Sequence, residues 1–120
     1  MTLQDQWVRT YLQSKIGSAE TFPFGPDPVV AKVGGKIFAL LSCTQQPQQL
    51  SLKCDPIDAQ LLRDTFPAVI PGYHLNKRHW NTIILDDSVP DHELRMMIDQ
   101  SYRLVVAALP RAERAKLALP

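Results

Sequence analysis

Apolar positions along the chain recur in two rhythms, one helical and one alternating. Leu3, Trp7, Tyr11 and Leu12 follow helical spacing behind Thr2, with Asp5 placed for a capping box and Gly17 as the stop. "FPFGPDP", residues 22–28, holds three prolines and a glycine and predicts an ordered loop with aromatic anchors. "VVAKVGGKIFALLSC" reads as a hairpin whose Gly34-Gly35 turn needs the positive φ that glycine permits. A third strand, "LSLKC", follows the polar "TQQPQQ" connection. Asp55 then caps a second helix with Pro56 at its first position; it runs to about Phe66, with Leu61 and Leu62 as its apolar stripe.

Prolines break "FPAVIPGYHL" into irregular or edge-strand material, whereas "HWNTIILD" is the clearest strand, rich in β-branched residues. Val89, before Pro90, suits a cap position, and Leu94, Met97, Ile98, Ser101, Val105 and Leu109 then trace one helical face. Pro110 ends that helix and "RAERAKLAL" makes a short last one. Helix, three strands, helix, two strands, helices: the order predicts one α+β domain over residues 1–120. It is a two-layer domain, an antiparallel five-stranded sheet with helices on one face.

The alternation also predicts which side chains face the helices. Leu50, Leu52 and Cys54 point one way, and Gln49, Ser51 and Lys53 the other. A two-residue turn would pair Val33 with Lys36, Ala31 with Phe38 and Val29 with Leu40, forming the covered face. Val30, Lys32, Ile37, Ala39 and Leu41 would then share the outer face with Ser51 and Lys53. The expectation is an open surface that mixes aliphatics with lysines. In this register Cys43 faces Ser51 and not Cys54, so no disulfide is expected.

Composition narrows the partners. The 120 residues are 45% hydrophobic and 21% charged, ordinary for a globular domain. Net charge is +1 and the pI about 7.8, below the values above ~9 that mark an overtly basic nucleic-acid binder. DNA binding would therefore need a local patch. Two cysteines, no secretory-type opening and no apolar run near ~20 residues predict a cytoplasmic protein that does not enter a membrane.

Candidate chemistry concentrates in "GYHLNKRHWNTIIL", residues 72–85. His74 and His79 straddle a strand entrance, so they need not converge on a metal, and no nucleophile-elbow serine accompanies them. Asn76 fits a turn, Trp80 a core or rim anchor, and the adjacent Lys77 and Arg78 can grip phosphate. From Arg103 onward, Arg103, Arg111, Arg114 and Lys116 face a single acid, Glu113, a local balance of +3.

"FPFGPD", "KVGGKIFALL", "LSLKCDP", "HLNKRHWNTIIL" and "VPDHELRMMIDQSYRLV", in this order, resemble the MmcQ/YjbR family across essentially the whole chain. The most specific pieces are the HLNK-x-HW-x-T segment, the PD-x-E helix start and the D-x-SY pattern at Asp99, Ser101 and Tyr102. The resemblance implies a CyaY-like, secretion-chaperone-like fold and a DNA-binding role, with no catalytic set and no cofactor to carry over. His74, Asn76, Lys77, His79 and Trp80 are its functional patch or its folding signature, and Asp99 and Tyr102 are expected to hold the last helix to that segment. A frataxin-type iron role would need an acidic ridge, and the first helix offers only Asp5 beside Arg9 and Lys15.

The resulting expectation is a non-enzymatic DNA-binding protein without metal or cofactor. Its contacts would be Lys32, Lys53, His74, Asn76, Lys77, Arg78, His79, Arg111, Arg114 and Lys116. A protein- or peptide-binding module on the open sheet face is the alternative, for which Ile37→Asp would matter more than Lys53→Ala.

Overall fold

Thr2 and Asp5 exchange hydrogen bonds of 3.0 and 3.2 Å, closing the capping box that starts helix α1 (Leu3–Gln13). The structure is a computed structural model and describes residues 2–72 and 75–117. Strands β1 (Ser18–Thr21), β2 (Val29–Val33), β3 (Lys36–Ser42) and β4 (Gln49–Lys53) follow. Helix α2 (Pro56–Thr65) starts at Asp55, whose carboxylate accepts from Ile57 N at 3.0 Å. Strands β5 (Val69–Pro71) and β6 (Trp80–Ile84) lead into α3 (Asp91–Ala107), flanked by Pro90, and then α4 (Arg111–Lys116). None of the described helices is long and apolar enough to cross a membrane.

The sheet is antiparallel throughout and has six strands in the order β1-β2-β3-β4-β6-β5, not five. The added strand is β1, "SAET", a half-exposed edge strand without an apolar alternation to announce it. Its partner β2 supplies the register, from Ser18 opposite Val33 to Thr21 opposite Val30.

A bulge changes the predicted faces. Lys32 pairs with Ile37 but Ala31 pairs with Ala39, so Phe38 is an extra residue on β3. Phe38 and Ala39 are both fully buried, and Phe38 meets the Tyr102 ring edge-on, with centroids 5.4 Å apart. Past the bulge the parity of β3 reverses: Ala39 and Leu41 join Leu52 and Leu50 in the core, while Leu40 lies beside Ser51 on the outer face. Lys32, Ile37, Ser51 and Lys53 keep the outer side expected of them; Val30 faces that side too but is fully buried there.

Phe38, Leu41, Leu50, Ile83, Leu85, Leu94 and Ile98 form the centre of the core between sheet and helices. Ser101 locks α3 to the sheet: its hydroxyl donates to Phe38 O at 2.6 Å and accepts from Lys53 N at 2.9 Å. On α2 the expected stripe is only half right. Leu62 packs against the core, as does the buried Ala59, but Leu61 is 62% exposed and Ile57 80%.

Among the described residues, Asp99 and Tyr102 hold α3 to Tyr11 of α1 and the residues just after it, not to the HLNKRHW segment. Asp99 accepts from Tyr11 Oη at 2.7 Å and pairs with Lys15, while the Tyr102 hydroxyl donates to Ile16 O. Burial pushes the Asp99 carboxyl up, but hydrogen bonds from Lys15 and Tyr11 outweigh it and hold it below its ordinary value. A depressed carboxyl stabilises the fold above the unfolded-state value, and that stability is lost as pH falls through the folded one. Asp99→Asn should therefore lose roughly 1–2 kcal/mol at neutral pH. Thermal unfolding followed from pH 7 downward checks this: wild type and variant converge below about pH 4.

Candidate nucleic-acid interface

Cross-strand register builds the outer face in two bands. One runs Val30, Leu40, Ser51, Thr82, Ile70 across the middle of the sheet, with Ser51 Oγ 2.8 Å from Thr82 Oγ1. The other, nearer the β2–β3 turn, holds Lys32 opposite Ile37 and Lys53 opposite Trp80. Gly34 and Gly35 make that turn at φ +58° and +77°, and a Cβ on Gly34 would come within 2.7 Å of the Leu109 side chain.

Around this end of the sheet lies an open cleft of about 540 Å³. Lys32, Lys36, Lys53, Ile37 and Trp80 line it, with Val105 and Ala108 from the end of α3, and no carboxylate among the described residues borders it. None of the ion pairs among the described residues involves the three lysines. The C-terminal end of α3 contributes roughly half a negative charge to the neighbourhood, which three ammonium groups far exceed. Lys36 was assigned from sequence to the covered side. It is the strand's first residue, so its side chain clears the helices and is exposed.

Ile37 also borders a second depression, a groove of about 410 Å³ along the middle of the outer face. Leu40, Ser51 and Thr82 form its floor, and Phe24 and Leu75 rise from the loops at either side. Asp27 pins the Phe24 loop: its carboxylate accepts from Ser42 Oγ, Cys43 N and Thr44 Oγ1 at 3.0, 2.6 and 3.1 Å. Burial pushes the Asp27 carboxyl up, yet these bonds prevail and hold it below its usual value. The outer face is thus walled on two sides and opens at the lysine cleft.

The HLNKRHW segment closes the β5–β6 connection. Asn76 Oδ1 accepts from Arg78 N at 3.0 Å, and Asn76 O accepts from His79 N and Trp80 N at 3.1 and 2.9 Å. His79 O accepts from Cys54 N at 2.7 Å, and Gly72 N donates to Trp80 O at 3.0 Å. Asn76 and His79 therefore shape the turn, with Lys77 and Arg78 exposed on it, and His74 lies outside the described residues. Arg111, Arg114 and Lys116 are exposed on α4, where Lys116 pairs with Glu113 at 3.1 Å. That helix starts three residues after Ala108 of the cleft. Cys43 and Cys54 are free thiols.

A model of the YjbR family matches residues 13–104. The chain belongs to that family. It is 35% identical over 107 residues to YjbR of Escherichia coli strain K12, covering 89% of this chain and 91% of that one. YbdF of Escherichia coli O157:H7 is 36% identical over 96 residues, covering 80% and 79%. Among solved structures, the Deinococcus radiodurans protein DR2400 superposes with a TM-score of 0.88 at 42% identity, over 99% of this chain and 89% of that chain. A Pseudomonas syringae protein gives a TM-score of 0.73 at 26% identity, over 83% and 97%. The family match contains Lys32, Lys36, Lys53 and Trp80, and ends before α4.

Proposed function

We propose that the protein is a non-enzymatic, cytoplasmic DNA-binding protein that holds the phosphate backbone in its lysine cleft. The supporting observation is the convergence of Lys32, Lys36 and Lys53 on one cleft that no carboxylate of the described residues borders. Like charges so placed repel one another, and a polyanion turns that cost into attraction. With a net charge of only +1, this clustering is local and is not a by-product of a basic chain. Trp80 at the cleft offers a ring for a sugar or an unstacked base. Lys77 and Arg78 on the neighbouring turn, and Arg111, Arg114 and Lys116 on α4, extend the contact to flanking phosphates. Lysine contacts of this kind position DNA without reading its sequence. The same reading takes the helix-backed sheet as a CyaY-like scaffold put to binding.

The apolar groove of Phe24, Ile37, Leu40 and Leu75 favours a second reading, a peptide or protein partner laid along the sheet. Ile37 borders both depressions, so a charge there would disturb either partner. Leu40 lines only the groove, and Leu40→Ser isolates it. In fluorescence anisotropy with a labelled duplex at ~50 mM salt, Lys53→Ala should weaken binding roughly tenfold. Leu40→Ser should leave it within about twofold, since it removes no phosphate contact. The opposite ranking would favour the groove reading.

A further inference from the structure

On the other side of the sheet, α2 and α3 do not close over the strands. Between them lies a cleft of about 170 Å³, walled by Leu62, Ile83 and Met97 and overhung by Leu61 and Met96, each 62% exposed. The half-buried Lys53 and Glu93 and the exposed Asp58 and Gln100 also border it. Cavities near this size accept a single six-membered ring. Asn81 of β6 reaches the cleft from the sheet. Its position opposite Leu52 places it on the core side, where it is only 2% exposed.

The Asn81 amide is half satisfied. Its Nδ2 donates to Ala59 O at 3.2 Å, which fixes the orientation of the carboxamide, and its buried Oδ1 accepts no hydrogen bond from the described residues. Turning the amide over would set two oxygens against each other. A buried acceptor without a donor carries a desolvation penalty that native structures seldom leave standing. Cys54, also at the cleft, is no anion there: burial, then Asp58 and Asp55, push its thiol up to about 11.

We propose that this cleft binds a compact, mostly apolar molecule carrying one hydroxyl or amine donor, recognised by Asn81 Oδ1. The apolar walls supply the affinity and the unmatched oxygen the selectivity. The site shares only Lys53 with the lysine cleft among their lining residues and does not depend on the DNA reading.

Phenol and toluene test it, being nearly identical in shape and differing in the donor. With methionine methyl groups isotopically labelled, phenol should shift the Met96 and Met97 signals in a saturable way. Toluene should bind the same place about tenfold more weakly, the effect of one unmade hydrogen bond at a buried group. Asn81→Leu should erase the difference between the two probes. The wild-type comparison stands alone if that variant fails to fold. Equal affinity for phenol and toluene, or no shift at Met96 and Met97 with either, would overturn the proposal.

Discussion

Converting Lys32, Lys36 and Lys53 together to glutamine is expected to lower DNA affinity about a thousandfold at ~50 mM salt. Each lysine that meets a phosphate releases a condensed cation, worth roughly tenfold at that concentration. The three act through one cleft, so their losses compound. The slope of log K against log salt should also flatten by about 0.9 per lost contact, and the mutant and wild-type curves should approach each other at high salt. Folding should not suffer. The three side chains are exposed or half-exposed and make no ion pair among the described residues, so the variant's thermal transition should match or slightly exceed wild type. A variant that folds and keeps its affinity would remove the cleft from the account.

The largest expected stability effect lies at Phe38. This residue is fully buried, stands edge-on to Tyr102 and is the extra residue of the β3 bulge. Phe38→Ala should cost about 3–5 kcal/mol in denaturant unfolding, through lost transfer energy and the cavity left behind. Against a typical total of roughly 5–15 kcal/mol, that is a large share. The consequence reaches the site, because the bulge sets Lys32 and Ile37 against the reversed parity of Leu40 and Leu41. Phe38→Leu, which keeps much of the volume, should cost less than half as much. Equal losses for the two variants would mean that volume at this position is not what holds the bulge.

The helices were legible where backbone chemistry fixes them. Thr2 with Asp5, and Asp55, mark the starts of α1 and α2 because orphan N–H groups need acceptors at those offsets, and Pro56 adds to the second signal by having no N–H to satisfy. The face of α3 followed from spacing, since Leu94, Met97, Ile98, Ser101 and Val105 all turned out buried; Leu109, expected on that face, is buried too but lies past the helix end at Ala107. Strand β1 was not legible: "SAET" forms a strand because β2 offers it a free edge, a tertiary cause that leaves no local pattern. The bulge was hidden for a related reason. A run such as "IFALL" is apolar in either parity, so only the packing of Phe38 against Tyr102 decides where the alternation slips.

The candidate site was half legible. Lys32 and Lys53 were placed on one face by alternation alone, and the structure brings them to the same cleft. Lys36 was missed because strict alternation hides a residue that, at the start of a strand, escapes its helices. The Asp99 and Tyr102 contacts went to Tyr11 and the residues just after α1 because Lys15 and Ile16, 84 and 86 residues from their partners in sequence, reach them only through the fold. The exposed Leu61 belonged to no surface the sequence foresaw; beside Met96 it frames the cleft above Asn81.

Mapping a short duplex onto the protein by amide and side-chain NMR shifts at low salt tests the central claim most directly. Shifts should cluster at Lys32, Lys36, Lys53 and the Trp80 indole, fade as salt is raised, and leave Asn81, Met96 and Met97 of the cleft between α2 and α3 unmoved. Shifts confined to the helix side, or none at a salt concentration where cation release favours binding, would contradict it.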